Sequence, residues 1–499
     1  MQVPIRIDPQ SSDTLQSQIV AQFQELILQG RLRPGRTVPS SRDLSEQLHV
    51  SRNTVSGAYE QLIEQGDLRT RPGLGTFVRE TLPDQAVALH ASNRPLRTPS
   101  RARATRLPIP YTARGVPGLH QPPDPSLQFD FSLGGRDPRL FPEKIWRRLV
   151  TECLGGAGPR ISDYIDPSGL PELREQIAEF IGPARGMNVS PEQILIVAGC
   201  QQGLNLAAHL FVGANTPVVV EAPCYRGAAY LFESYGARLV PVPVDEHGLQ
   251  VDQLPTEGPK LAYVTPSHQF PTGATLSEER RIALLDWAAE KGVYLLEVDY
   301  DADFSYDDAP LPSLYGLDPY GCTIYVSSFS RCLGPGLRLG YMVVPENLLR
   351  PATTIKALID NGLPWLEQAA LVQFMREGSF LHHLKRVRSV YRDRRDALLG
   401  GLARHFPEGR VSGAQCGSHV AWWLPPTLPS AAEVRELARA YGVGVYPLGD
   451  SPSWFYEALS GRRHVLLLGY TRLEDRQIEA AVDRLAAALQ GEFSLAESD

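Results

Sequence analysis

The sequence predicts two units of different class. The first is a small, mainly α head closed by a β-hairpin. The second is a large α/β body with a mostly parallel sheet, passing into a smaller C-terminal α+β portion. Three observations predict this. A chain of 499 residues is too long for one ordinary domain, so at least two compact units are expected. Residues 1–80 show apolar positions at helical spacing, broken by turn signals. From Phe129 onward, short β-branched runs alternate with amphipathic helical stretches, the pattern of strands covered on both faces by helices.

The formal net charge of -7 gives no general attraction to nucleic acid or anionic membrane, so any DNA contact has to come from a local surface. The six cysteines (Cys153, Cys200, Cys224, Cys322, Cys332 and Cys416) are scattered without a Cys-x-x-Cys pair. Free thiols in a reducing compartment are therefore expected, rather than disulfides or metal ligands. The N-terminus lacks a basic stretch followed by an apolar core, so no signal peptide is expected. The longest apolar runs, such as Val218-Val219-Val220, are too short to span a bilayer. A cytoplasmic protein without membrane contact is the expectation.

In the head, Ile19, Phe23, Leu26 and Ile27 recur at helical spacing, and Gly30 closes that helix in a left-handed conformation. Arg31-Leu32-Arg33-Pro34-Gly35 reads as a turn. A short helix starts at Ser40-Ser41-Arg42-Asp43 and buries Leu44 and Leu48. In Val50-Ser51-Arg52-Asn53-Thr54-Val55, Ser51 is a natural N-cap, and Val50 and Val55 form a hydrophobic staple that sets the entry angle. Val55, Ala58, Tyr59 and Leu62 line the apolar face of this third helix, and Gly66 ends it. The staple leaves Arg52, Asn53 and Thr54 on the first exposed turn. There, short polar side chains reach base edges in a major groove, and the helix N-terminus favours phosphate. The run Leu68 to Val78 reads as two short strands around a glycine-rich tip, a wing carrying Arg69 and Arg71.

A three-helix structural domain with a solvated polar face is the alternative, since acids and bases nearly balance before residue 80. The ordered series of motifs decides against it. Pro39-Ser40-Ser41-Arg42-x-Leu44, then Val50-Ser51-Arg52-Asn53-Thr54-Val55, then Gly73-x-Gly75-Thr76-Phe77-Val78 resembles the GntR family, and three motifs in order are far more specific than one. The resemblance implies a winged helix-turn-helix that binds double-stranded operator DNA. Its candidate surface is Arg42, Ser51, Arg52, Asn53, Thr54, Arg71 and Gly75, with the wing glycines allowing close backbone approach.

Residues 81–128 lose periodicity and are rich in proline and arginine: Arg94, Arg97, Arg101, Arg103, Arg106 and Arg114 face only Asp84 before Asp124. This length reads as an interdomain tether; a solvated spacer is the preferred role over contact with DNA phosphates.

Residues 129–499 form the second unit. Its candidate strands are Ile194–Val197, Val218–Glu221, Leu239–Val242, Leu261–Val264, Tyr294–Val298, Ile324–Ser327 and Met342–Val344, and Lys385 to Leu399 reads as a long basic helix. Ile194 to Gln202 is a strand, a turn at Gly199 and a helix start at Cys200-Gln201, whose free backbone N–H groups can cradle phosphate. Glu221-x-Pro223-x-Tyr225, Thr265 to Gly273, and Glu297-Val298-Asp299-Tyr300-Asp301 each lie at or just past a strand's C-terminal end. Ligands bind at that edge of an α/β sheet. Ser328-Phe329-Ser330-Arg331-Cys332-Leu333-Gly334-Pro335-Gly336-Leu337-Arg338-Leu339-Gly340-Tyr341 completes the set.

Together these segments resemble the fold type I aminotransferase domain of the MocR subgroup of GntR regulators. The match runs on through Glu367-Gln368-Ala369-Ala370 and Tyr391-Arg392-Asp393-Arg394-Arg395. The resemblance implies pyridoxal phosphate in a ligand-sensing domain, a head-to-tail homodimer, and transcription control rather than turnover. In that family a lysine in Ser-x-Ser-Lys forms a Schiff base with the cofactor; here the position is Arg331. A guanidinium stays protonated and offers an aldehyde no lone pair. The acid that pairs with the pyridinium nitrogen corresponds to Val298, with Glu297 or Asp299 as substitutes if the register is shifted. A C-terminal carboxylate-clamp arginine is replaced in Leu466-Leu467-Leu468-Gly469, with Arg462 and Arg463 just upstream, so the clamp stays unassigned.

By the same resemblance Ser328 and Arg338 are phosphate contacts, Tyr300 donates to the ring hydroxyl and Tyr225 stacks on the ring, beside Gly199, Cys200 and Gln201. Ordinary packing for the tyrosines and an ion pair for Arg338 are the alternatives. His268, His382, His383 and His419 show no ligand spacing backed by other donors, so no metal is expected. The expectation is a regulator whose catalytically inactive domain is a dimer scaffold and small-molecule sensor. It would bind pyridoxal phosphate non-covalently and weakly, or another small anion. The rivals are a working aminotransferase with a DNA-binding extension and a structural dimer module with an empty pocket.

Overall fold

The computed structural model describes residues 3–8, 11, 13–79, 124–306, 312–449, 453–454 and 464–490. The chain divides into two compact units. The tether residues 81–123, with their arginines, and Arg462 and Arg463 lie outside the described residues. Residues 124–128, read above as part of the tether, are fastened to the second unit: Arg439 donates to Asp124 at 2.6 Å and Arg484 to Gln128 at 2.6 Å. No helix among the described residues is long and apolar enough to cross a membrane.

The head comprises α1 (Leu15–Leu28), α2 (Ser41–Leu48) and α3 (Arg52–Glu64), followed by an antiparallel hairpin of β1 (Leu68–Arg71) and β2 (Gly75–Val78). Ser51 caps α3 as expected, its hydroxyl accepting from the Thr54 N–H at 3.1 Å. Ile19, Phe23, Val55, Tyr59 and Leu62 share one core, in which the Phe23 and Tyr59 rings meet edge to face at 5.6 Å. Leu48, expected in the core, is only half-buried, because α2 ends there and His49 turns left-handed (φ 53). Two contributions were not expected. Val3 and Ile5 are buried in the same core. The segment before α2 also pairs with the wing through an antiparallel bridge at Thr37 and Phe77, with Val78 N–H donating to the Arg36 carbonyl and Val38 N–H to that of Thr76, both at 2.9 Å.

The second unit is built on an eight-stranded sheet: β3 (Ile194–Val197), β4 (Pro217–Ala222), β5 (Arg238–Asp245), β6 (Gly248–Leu249), β7 (Leu261–Val264), β8 (Tyr294–Asp299), β9 (Thr323–Ser328) and β10 (Gly340–Val343). Their order is β3-β10-β9-β8-β7-β4-β5-β6, with all pairs parallel except those made by β10 and by the short edge strand β6. All seven candidate strands are present, their ends within three residues of those expected. Alternation divides their side chains: Ile194, Ile196, Tyr325 and Tyr341 enter one apolar core, and Leu195, Val197, Ile324 and Val326 the other. Both faces of the sheet are therefore covered, which is why its strands read as continuous apolar runs. The first core continues into the C-terminal portion, where Arg410–Ser412, His419–Trp423, Val465–Gly469 and Tyr446–Pro447 form a four-stranded antiparallel sheet. The long basic helix is longer than its charged stretch indicated, running Ser379–His405.

The helix Pro171–Arg185 is tied to the sheet by a buried ion pair. Arg185 donates to Asp299 on β8 at 2.8 Å and to Asp303 at 2.5 Å, and Tyr325 on β9 donates to Asp299 at 2.6 Å. Removing one partner leaves a buried charge uncompensated. Asp299→Ala is therefore expected to destabilise this unit by about 3 kcal/mol, read as a lower urea midpoint at unchanged slope.

Candidate functional site

The candidate DNA-contacting groups of the head lie on the first turns of α2 and α3 and on the wing. Arg42, Arg52, Asn53 and Arg71 are exposed, and Thr54 is half-buried. Arg42 reaches Glu46 at 3.4 Å with both side chains largely in solvent, a pair worth little against a phosphate. Arg52 contacts the Ser41 hydroxyl at 3.4 Å. The Thr54 hydroxyl lies 2.8 Å from that of Ser51, so the cap and the candidate base-reading turn share one hydrogen-bond unit. Arg71 lies over the Phe77 ring at 5.6 Å. Gly73 and Gly75 take positive φ of 76° and 105°, which lets the wing tip turn without side-chain bulk.

In the second unit, the C-terminal ends of the parallel strands converge on a cavity of about 480 Å³. Helix α4 (Cys200–Phe211) follows β3 and starts at Gly199, whose φ is 83°. Tyr225 follows β4, Phe270 follows β7, Val298 and Tyr300 come from the end of β8, Ser328 ends β9, and Ser330 and Arg331 follow it; all line the cavity. Arg338 arrives differently. Because β10 runs antiparallel to its neighbours, its beginning lies at the same edge as their ends. Gly340 pairs with both Ser328 and Val197, and a Cβ there would lie 2.8 Å from the Ser327 carbonyl oxygen and 2.9 Å from Gly199 Cα. Glycine is therefore needed where the turns at Gly199 and after Ser328 are pressed together. Arg338 itself is left-handed (φ 52) and donates to the Ala198 carbonyl, which holds its guanidinium beside Gly199.

Of the sequence-predicted residues, Gly199 alone is absent from the lining, where it acts as the turn behind Cys200; Tyr225, Tyr300, Ser328, Arg331, Arg338, Cys200 and Gln201 all face the cavity. Burial pushes the Cys200 thiol up to about 11, against a hydrogen bond from Ser328 that lowers it, so the thiol stays protonated. Tyr300 is committed sideways, its hydroxyl 3.1 Å from His268 Nδ1. Arg331 lies 5.7 Å from the centre of the Tyr300 ring, with Nε 3.6 Å from Asp301 Oδ1.

The open question of register on β8 is answered by alternation. Val298 lines the cavity. Glu297, one residue before, accepts from the Leu314 and Tyr315 N–H groups at 2.9 Å each, and burial pushes it up to about 7 despite those bonds. Asp299, one residue after, accepts from Arg185 and Tyr325. Neither substitutes for Val298. The motifs at Gln368 and Arg394 are structural: Gln368 accepts from Leu170 N–H at 2.9 Å, and Arg394 donates to Asp137 at 2.7 Å.

The sequence missed how the histidines gather. His268 and His419, with no informative spacing, meet Asp301 so that one ligand-type atom from each lies within 4.8 Å of the others. The expectation of no supporting donors is thus corrected, since three strand ends bring together what the chain separates. The cluster reads as a hydrogen-bonded brace. Asp301 Oδ2 accepts from Ser418 N–H at 3.1 Å and Ser418 Oγ at 2.8 Å, and the adjacent Arg331 guanidinium opposes a cation. Burial holds His419 down at about 3, hence neutral. Also missed were the apolar residues Leu133, Leu204 and Tyr263 on the cavity wall. Leu467, in the strand read above as lacking a clamp arginine, packs with Phe270 in an apolar cluster that Tyr225 and Tyr300 border.

Comparisons with known proteins agree with this division. Residues 15–78 match the model of bacterial regulatory proteins of the gntR family, and residues 137–448 match aminotransferase class I and II. The HTH-type transcriptional regulator TauR of Rhodobacter capsulatus is 35% identical over 98% of this chain and 100% of its own. The probable rhizopine catabolism regulatory protein MocR of Rhizobium meliloti is 31% identical over 97% of this chain and 95% of its own. The crystal structure of LysN, an α-aminoadipate aminotransferase from Thermus thermophilus complexed with N-(5'-phosphopyridoxyl)-L-leucine, is 34% identical. It superposes with a TM-score of 0.66 over 74% of this chain and 93% of that one.

Burial raises Asp301, but Arg331, then His268 and His419, outweigh it and hold the carboxyl at about 2. Such a depressed carboxylate contributes stability above its unfolded value of about 4, and that contribution is lost as pH falls through the folded value. Arg331→Met removes the strongest of the lowering influences. The variant is expected to be less stable near neutrality, read as a lower urea midpoint at pH 7 by circular dichroism, with the gap to the natural chain closing as pH falls through about 2.

Proposed function

Since the chain belongs to the gntR family of bacterial regulatory proteins and carries an aminotransferase class I and II domain, we propose a specific division of labour for its two units. The head binds operator DNA through the first turn of α3 and the wing. The aminotransferase-like unit performs no transamination; it is a dimer scaffold, arranged head to tail, and a non-covalent sensor of a small anion.

One observation carries this reading. The chain has five lysines, Lys144, Lys260, Lys291, Lys356 and Lys385, and none is among the residues lining the cavity, where Arg331 stands. A Schiff base needs a neutral amine, which a guanidinium does not supply. Val298 removes the carboxylate that a protonated ring nitrogen requires. The residues present therefore do not fit pyridoxal phosphate as a covalent cofactor. They do suit an anion: Ser328, Ser330 and the backbone N–H groups opening α4 are donors, and two guanidinium groups supply charge. An anion there contacts turns at the ends of β3, β9 and β10 together, so its binding is suited to altering how the unit holds its partner copy and thereby the spacing of two heads. A working aminotransferase is the rival, and it requires an amine that the cavity lacks.

Arg52→Ala is expected to weaken binding to DNA selected by the full-length chain from a random pool, by roughly 1–3 kcal/mol in a fluorescence titration; unchanged affinity would refute the placement of the reading turn. Incubation with pyridoxal phosphate, borohydride reduction and peptide mass measurement are expected to give no adduct in the cavity of the natural chain. A mass-shifted peptide from that cavity would restore the enzyme reading.

A further inference from the structure

The cavity is polar where Arg331, Arg338, Ser328 and Ser330 stand, beside the opening turn of α4, and its remaining wall is largely apolar: Val298, Tyr263, Leu204, Phe270, Leu133 and Tyr225. No aspartate, glutamate or lysine is among the lining residues. The three acids on and after β8 are all committed elsewhere. Glu297 is turned to the Leu314 and Tyr315 N–H groups, Asp299 to Arg185 and Tyr325, and Asp301 to Ser418, with its second oxygen 3.6 Å from Arg331 Nε. Both charged side chains on the wall are thus positive, and nothing anionic faces the space beside Val298, itself only 5% exposed.

This distribution selects on charge at two places. An anionic group gains from the arginines, the serine hydroxyls and the helix start. A positive nitrogen placed against Val298 loses its water, meets a methyl-lined wall and has no carboxylate to pair with; the resident guanidinium groups repel it as well. We infer that the cavity recognises an anion carried on an uncharged apolar or aromatic ring, and that Val298 is the residue that rejects a ring bearing a positive nitrogen. The inference rests on the non-covalent sensor reading proposed above. Beyond that reading it assigns the chemical class of the ligand, and it sets the protonated form of pyridoxal phosphate among the poorer ligands rather than the preferred ones.

Isothermal titration of the full-length chain with inorganic phosphate, benzyl phosphate and pyridoxine 5'-phosphate tests it. Benzyl phosphate is expected to bind at least about tenfold more tightly than pyridoxine 5'-phosphate and more tightly than inorganic phosphate. Val298→Asp is expected to reverse the order of the two ring compounds. Because a new buried acid can unfold the unit, the unchanged chain supplies a second readout. Its affinity for pyridoxine 5'-phosphate is expected to strengthen as rising pH removes the ring-nitrogen proton, while that for benzyl phosphate does not follow. Equal or tighter binding of pyridoxine 5'-phosphate at neutral pH, or a pH response shared by both ring compounds, would overturn the role of Val298 and leave the anion sensor standing. Absence of heat with all three probes would sink the sensor reading, and this inference with it.

Discussion

A guanidinium group stands at the edge of the sheet where several strand ends converge, with the carboxylate of Asp301 3.6 Å from its Nε. Much of the cavity's character depends on this contact. Asp301 is buried, and burial alone would neutralise it; Arg331 is the first of the influences that keep it ionised. The ionised carboxylate in turn accepts from Ser418 and lies beside His268, which positions the Tyr300 hydroxyl. One charged side chain therefore organises the brace beneath the cavity, not only its mouth. A lysine at the same place carries the same charge but is also a nucleophile when neutral, whereas arginine retains only the charge.

The second constraint is the period of a β-strand. Glu297, Val298 and Asp299 follow one another on β8, and consecutive side chains point to opposite faces. Two carboxylates and one isopropyl group are thereby sorted without ambiguity: the carboxylates hold the Leu314 turn and the Arg185 helix, and the isopropyl group faces the cavity. A shift of one residue would invert that arrangement, exposing an acid to the cavity and burying valine among hydrogen-bond donors. The backbone donors of Leu314 and Tyr315 and the buried Arg185 make such a slip costly.

Much of the fold was legible because the signals are local. Ser51 accepts from a backbone N–H three residues on, and such a cap needs nothing from the rest of the molecule. The seven strands of the large sheet announce themselves as apolar runs because both of their faces are buried. Legibility failed where partners come from far along the chain. Val3 and Ile5 complete the head core, Leu48 is left half-buried at a helix end, and Ser418 and His419 reach Asp301 over more than a hundred positions.

Residue identity alone established the chemistry on offer: a permanent cation at position 331, an aliphatic group at 298, and a capped helix start after Val50. Identity carries these properties because they are intrinsic to side chains and to neighbours within a turn. Their orientation had a different origin. An antiparallel β10 between parallel-running strands delivers Arg338 to the same edge as Ser328 and Gly199, and pleat alternation turns two acids away from the cavity. Such relations arise from hydrogen-bonded pairing between strands distant along the chain, which no local pattern of residues encodes.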